Sequence, residues 1–290
     1  LEHELYTLIL LHCSEFNEAL CFFAPLPQTM RTTLPLLLFL WGCGPSHDVD
    51  TRIVGHAGMG SEHELVPNGR ESILAALDLG IDGVELDVQL TADSVLVAFH
   101  DERLEENTTC TGLVNAMTWA ELKACTTTRP GNSDVMIARV DSLLLEAAQR
   151  YPKADLTLDC KLFAHGDWWN YLEAYTDALT ALEAMPALRG KLLVECQVDP
   201  FLLLLQRKDP SIPLFRYDSD VDHATRRAVT SHFAGITVHR SRASKAQVEH
   251  AQSLGLQVTL FGTSGRVGHW FALRKGPDRL QTDAPEVFGE

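Results

Sequence analysis

The stretch DGVELDVQLTADSVLVAFHD, residues 82–101, decides how the rest of the chain is read. Val84, Leu86 and Val88 alternate with Glu85 and Asp87, the pattern of a strand with one apolar face. Residues two apart on a strand share a face, so the two carboxylates point the same way. Ala92-Asp93-Ser94 supplies turn residues, and Val95, Leu96 and Val97 run back to His100-Asp101. A hairpin pivoting on Asp93 sets position 87 opposite about 99 and brings His100 beside the acids. Two carboxylates and an imidazole at one spot suit metal binding with acid/base chemistry. A solvated hairpin edge gives the same pattern, so the remaining segments must choose between the two.

Working outward, short apolar segments alternate with helical ones, which is the signature of βα units and a parallel sheet. Arg52 to His56 is the first strand, and a helix near Glu71 to Leu79 follows, stopped by Gly80. Val84 to Val88 is the second strand, and the hairpin prolongs it to His100. Trp119 to Ala124 and Val140 to Arg150 read as helices, Leu156 to Lys161 as the third strand and Asp167 to Met185 as a long helix. Leu192 to Glu195 is the fourth strand, with a helix after Asp199-Pro200. Pro213 to Arg216, Gly235 to Val238, Gln257 to Phe261 and Leu280 to Thr282 complete the strands. Helices near Asp222 to Val229, Lys245 to Leu254 and Val267 to Lys275 separate them. With the hairpin return counted as an excursion, the strands number eight. An α/β fold follows, a (β/α)8 TIM-type barrel over residues 51–290 with an excursion after the second strand.

Catalytic groups of such barrels come from the C-terminal ends of the strands. His56 ends strand one, Glu85 and Asp87 sit late on strand two, and Asp159 and Lys161 end strand three, again sharing a face. Ionisable groups on three adjacent strand ends are costly to bury unless they pair or hold a metal. Three carboxylates offer hard oxygen ligands to one divalent cation, Ca²⁺ or Mg²⁺. Histidines on either side suit general acid and base work near neutral pH. Lys161 is placed to offset charge on a phosphoryl group.

The bulk properties are ordinary for a soluble globular protein. Hydrophobic residues make up 46% of the 290 and charged residues 22%. The formal charge of −15 argues against nucleic acid or an anionic membrane as a general electrostatic partner. It also means that an anionic substrate needs a local cation. The seven cysteines contain no CxxC pair or zinc-finger spacing.

Residues 1–43 read as a leader and a lipoprotein signal segment. Met30-Arg31 precedes an apolar run from Leu34 to Trp41, and Gly42-Cys43-Gly44-Pro45 follows. The run is shorter than the roughly 20 residues that span a bilayer. Leu40-Trp41-Gly42-Cys43 resembles a bacterial lipoprotein cleavage box, which implies a lipid anchor at Cys43 and an exported cell-envelope protein. Residues 1–29 look like upstream translation or a poorly ordered leader. In an oxidising compartment Cys110 and Cys125 form a disulfide or remain two buried thiols.

From about Arg52 onward the chain resembles the glycerophosphodiester phosphodiesterase family. The resemblance rests on the His-x-Gly after strand one, GVELDVQLTADSVLVAFHD, ENTTCTGLVNAMTWAEL and, more loosely, LTLDCK and LQTDAPEV. It implies cleavage of glycerophosphodiesters to glycerol phosphate and an alcohol. His56 and His100 would be the acid/base pair, Glu85, Asp87 and Asp159 the metal ligands, and Lys161 a phosphate contact. The glycerol hydroxyl would serve as internal nucleophile.

Four departures bear on recognition of glycerol and phosphate. Ala57 stands where the family usually has Arg, and PNGRES replaces a Pro-Glu-Asn-Thr box. Asp159 stands where Glu is common, and Phe261-Gly262-Thr263-Ser264 replaces Trp-Thr-x-Asn. Arg216 and Arg240, near strand ends, are candidate replacements for the missing guanidinium. Asp159-x-Lys161 also resembles a phospholipase D-like lyase acting on sphingomyelin or lysophospholipids. A non-catalytic surface lipoprotein is a third possibility.

Overall fold

The computed structural model describes residues 51–132 and 134–289. The expected leader and Cys43 lie outside the described residues.

Eight parallel strands close into a barrel. They are β1 (Arg52–Gly55), β2 (Gly83–Leu90), β5 (Asp155–Cys160), β6 (Leu192–Cys196), β7 (Leu214–Asp218), β8 (Gly235–His239), β9 (Gln257–Thr263) and β10 (Arg279–Thr282). Each pairs with the next in the ring, and β1 closes it by pairing with both β2 and β10. Helices follow the strands: α1 (Arg70–Asp78), α3 (Val140–Arg150), α4 (Trp168–Glu183), α5 (Asp199–Lys208), α6 (Val221–Ser231), α7 (Lys245–Ser253) and α8 (Gly265–Leu273). Alternation along the strands explains the layering. Leu156, Leu158 and Cys160 of β5 join the apolar layer under the helices, as do Leu192, Val194 and Cys196 of β6. Between them, Thr157, Asp159, Leu193 and Glu195 occupy the opposite face, inside the barrel.

That interior is unusually polar. Arg279 is buried and donates to Asp155 Oδ2 (2.7 Å), while Gln281 donates to Glu195 Oε1 (2.9 Å). Buried polar groups of this kind are tolerated only when paired.

Strand β2 is longer than its neighbours, and its far end forms the excursion. It pairs antiparallel with β3 (Leu96–Ala98), which pairs with β4 (Ala138–Arg139). Val88 faces Ala98, and the Phe99 N–H donates to the Asp87 carbonyl (2.9 Å), so the expected register is the observed one. Ser94 turns the chain at φ +61°. Asp93 Oδ1 fixes the turn by accepting from the Thr91 hydroxyl (2.6 Å) and the Trp119 N–H (2.9 Å). Between β3 and β4 the chain makes short turns and one brief helix, α2 (Trp119–Leu122). Val97, Phe99, Leu104, Val114, Leu122, Cys125 and Ile137 give this segment its own small core. A Cys110–Cys125 disulfide closes it, which resolves the choice between a bridge and two thiols.

Candidate active site

Acids from three neighbouring strands meet at one level of the barrel. Parallel register sets Asp87 beside Asp159, and Asp159 beside Glu195. Glu85, two residues before Asp87, shares its face. Carboxylate oxygens of Glu85, Asp159 and Glu195 lie within 4.8 Å of one another. Glu195 stands out in the sequence only as the end of the fourth strand, not as a member of the site. Asp87 sits beside this trio, engaged elsewhere: Lys161 Nζ reaches its Oδ1 (3.0 Å) as well as Asp159 Oδ2 (2.6 Å). Asn68 clamps Asp87 from the other side, donating to Oδ2 (2.7 Å) and accepting from the Asp87 N–H (2.8 Å).

Two left-handed residues make these contacts possible. Ala57 has φ +48° and Asn68 φ +63°. The turned backbone points the Ala57 N–H at Glu85 Oε2 (2.9 Å), and the Asn68 N–H donates to the Ala57 carbonyl (3.0 Å). Asn tolerates this region and Ala does so only at a cost.

Each histidine is oriented by a carboxylate. His56 Nδ1 lies 2.8 Å from Asp283 Oδ1, and His56 Nε2 lies 3.9 Å from Glu85 Oε2. His100 Nδ1 lies 2.9 Å from Asp101 Oδ1, and Asn107 in turn donates to Asp101. A carboxylate on Nδ1 fixes the ring and leaves Nε2 for chemistry. His56, Asp87 and His100 line one cavity of about 480 Å³ beneath the excursion. Arg129 lines it too, and its Nη2 donates to the Ser61 carbonyl (3.1 Å) and to that of His63. Neither of the two candidate replacement arginines lines this cavity. Arg216 is buried against Asp199 (2.6 Å) and Asp218 (3.3 Å), and Arg240 Nε donates to the Gly262 carbonyl (2.7 Å).

The electrostatics favour a cation among the acids. Burial, and then the charge of Asp87, push the Glu85 carboxyl well above its usual range. Burial also raises Asp159, against the pull of Lys161, and burial with the Asp159 charge raises Glu195 to about 7. Asp87 alone moves down: burial opposes this, but Lys161, His100 and His56 outweigh it. Burial would lower His56, yet the Asp283 hydrogen bond and the Glu85 charge hold it at about 10. Without a cation the cluster relieves its charge by keeping protons. The buried Glu85 Oε1 has no hydrogen-bond partner among the described residues. An all-oxygen trio with an unpaired acceptor fits a hard divalent ion.

Asp283 and Asn68 also escaped the sequence reading. Asp283 lies within the terminal LQTDAPEV, where a carboxylate directly after a strand was the available signal.

The family model described as "Glycerophosphoryl diester phosphodiesterase family" matches residues 56–287. A probable glycerophosphodiester phosphodiesterase 1 of Mycobacterium tuberculosis is 44% identical over 78 residues, 26% of this chain and 28% of that protein. A glycerophosphodiester phosphodiesterase of Bacillus altitudinis is 42% identical over 73 residues, 25% of this chain and 29% of that protein. The chain thus spans under a third of the length of these curated relatives. Among solved structures, an Oleispira antarctica phosphodiesterase in complex with the product sn-glycerol-3-phosphate aligns with a TM-score of 0.71 and 23% identity, covering 81% of this chain and 94% of that one. A putative glycerophosphoryl diester phosphodiesterase from Silicibacter pomeroyi aligns with a TM-score of 0.74 and 19% identity, covering 83% and 92%. At such identities the two structures speak for the fold.

Proposed function

Because the chain belongs to the glycerophosphoryl diester phosphodiesterase family, we propose that it hydrolyses glycerophosphodiesters to glycerol 3-phosphate and an alcohol, with one divalent cation. The observation carrying this reading is that His56, Asp87 and His100 line one cavity and that Asp87 adjoins the Glu85–Asp159–Glu195 cluster.

Glu85, Asp159 and Glu195 would hold the ion, Ca²⁺ or Mg²⁺, while Asp87 borders them, paired with Lys161 and Asn68. A bound divalent ion supplies Lewis-acid stabilisation of phosphoryl charge. His56 and His100 divide the proton work: one takes the proton of the attacking glycerol hydroxyl while the other protonates the leaving alcohol, giving a cyclic phosphate, and with the roles reversed water then opens that ring to glycerol 3-phosphate. Asp283 and Asp101 hold these rings in place. Lys161 lies between Asp87 and Asp159, and its ammonium would offset negative charge on the phosphate.

Product identification by phosphorus NMR tests the reading. Glycerophosphocholine should yield glycerol 3-phosphate. Release of a cyclic phosphate from sphingomyelin or lysophosphatidylcholine, with no glycerol phosphate from glycerophosphocholine, would assign the chain to the lyase reaction.

Export and a lipid anchor at Cys43 belong to the same proposal, supported by the disulfide, since such bridges persist in oxidising compartments. Cys43→Ala should abolish metabolic labelling with palmitate. Labelling that persists would remove the anchor from the account.

A further inference from the structure

The acidic charge of this chain is unevenly spread. Residues 239–245, HRSRASK, and 262–277, GTSGRVGHWFALRKGP, contain no Asp or Glu and hold six Lys or Arg between them, in a chain of formal charge −15. The fold joins the two segments: Lys275 Nζ donates to the Arg240 carbonyl (2.5 Å), and Arg240 Nε donates to that of Gly262 (2.7 Å). Lys245 has Glu249 at 3.6 Å, whereas Arg240, Arg242, Arg266, Arg274 and Lys275 have no ion-pair partner among the described residues. The crowding is felt locally, since burial and then Arg240 push Lys275 below its usual range.

The same surface is apolar in a patterned way. On α8, Val267, Trp270 and Phe271 stand at i, i+3 and i+4, one face of the helix. They are exposed at 70%, 38% and 54%, and they make up three of the seven exposed large hydrophobic residues described. Trp270 and Phe271 meet edge to face at 4.8 Å, and the Arg274 guanidinium lies over the Trp270 ring at 4.5 Å. Buried His269, Ala272 and Leu273 hold the other face of the helix to the barrel.

Aromatic residues flanked by cations that lack counter-ions match the chemistry of a lipid headgroup layer. Ring systems settle at the headgroup–acyl boundary, and Arg and Lys meet lipid phosphates. Protein interfaces also use Trp, Phe and Arg, but two segments with six cations and no carboxylate, in a chain of formal charge −15, call for an anionic surface. We propose that α8 with the 239–245 loop docks the barrel on a bilayer surface containing anionic lipids. Both segments leave the C-terminal ends of β8 and β9, the end that carries His56 and Asp159. The strand order places β8 four strands from β2 in either direction, so the docking face lies across the mouth from the disulfide-closed excursion. The overall negative charge then limits attachment to this one face.

Vesicle co-sedimentation of the full chain tests this without reference to its activity. Binding should be stronger to phosphatidylcholine vesicles carrying phosphatidylglycerol than to phosphatidylcholine alone, and it should weaken with salt. Arg266→Ala with Arg274→Ala should cost roughly tenfold in partitioning to the anionic vesicles. Trp270→Ala with Phe271→Ala should cost roughly tenfold even in high salt. Trp169→Ala, at a tryptophan 63% exposed on α4, should leave binding unchanged. The lipid and salt dependence of the wild-type chain is a second measurement that needs no variant. The proposal is overturned by binding indifferent to phosphatidylglycerol. It is equally overturned by binding that survives both α8 double substitutions, as a leader-driven attachment would. A Trp270/Phe271 variant that changes oligomeric mass rather than vesicle binding would give the surface to a second copy of the chain.

Discussion

On the proposed reading, turnover rests on two imidazoles, each with Nδ1 on a carboxylate. His100→Ala should lower kcat by about 100- to 10,000-fold, and His56→Ala by a similar factor, measured by steady-state kinetics on glycerophosphocholine. Near wild-type turnover in either variant would remove that histidine from the proton work. Asn68→Ala removes both hydrogen bonds to Asp87 and leaves a buried N–H without its acceptor. It should cost about 2 kcal/mol of stability in denaturant unfolding, since orphaned buried polar groups carry most of such penalties. The shared faces of Glu85 with Asp87 and of Asp159 with Lys161 are legible because residues at i and i+2 on a strand point the same way. Glu195 is not legible in this way. It stands alone in Leu-Leu-Val-Glu-Cys, and only the register of β5 against β6 brings it beside Asp159. Asn68 was invisible for a related reason, since its role depends on a left-handed φ and on a strand 19 residues away.

The excursion between β3 and β4 forms one wall of the cavity, and its integrity rests on a small core and one disulfide. The bridge spans 15 residues, a loop for which the chain-entropy estimate is about 3 kcal/mol. Cys110→Ser with Cys125→Ser should therefore speed hydrogen exchange in residues 104–137, raise KM, and leave barrel-strand protection largely intact. Unchanged exchange in that segment would show that its packing alone suffices. The hairpin was readable to the residue because the turn chemistry at Asp93 and the period-two alternation point to one register. Strand ends were less so. The sequence pattern ends β9 at Phe261. The strand instead runs on to Thr263, with Gly262 at φ +76° beside a register shift against β10. A Cβ there would fall 2.2 Å from the His239 ring, so glycine at this place serves a bulge and a close approach.

At the scale of the whole molecule, one buried histidine ties stability to pH. His269 is held by the Thr282 hydroxyl (2.5 Å) and packs on Phe288. Burial, and then the Arg240 charge, lower its pKa to about 4. The unfolded chain, with a histidine pKa near 6.5, binds this proton before the folded chain does. The contribution of His269 is thus complete above about pH 6.5 and is lost as pH falls toward 4, amounting to at most about 3 kcal/mol. Glu195, raised to about 7, acts in the opposite sense, its contribution being lost as pH rises from about 4.5 to 7. The difference in unfolding free energy between the wild type and His269→Gln isolates the histidine, and it should shrink across pH 6.5 to 4; a constant difference would contradict the assignment. The most direct test of the whole account is hydrolysis of glycerophosphocholine by the full chain after treatment with EDTA, followed by addition of Ca²⁺ or Mg²⁺. Chelation should abolish glycerol 3-phosphate release, one of these ions should restore it, and Glu85→Gln should be restored by neither. Release that continues at an undiminished rate in EDTA would contradict the account.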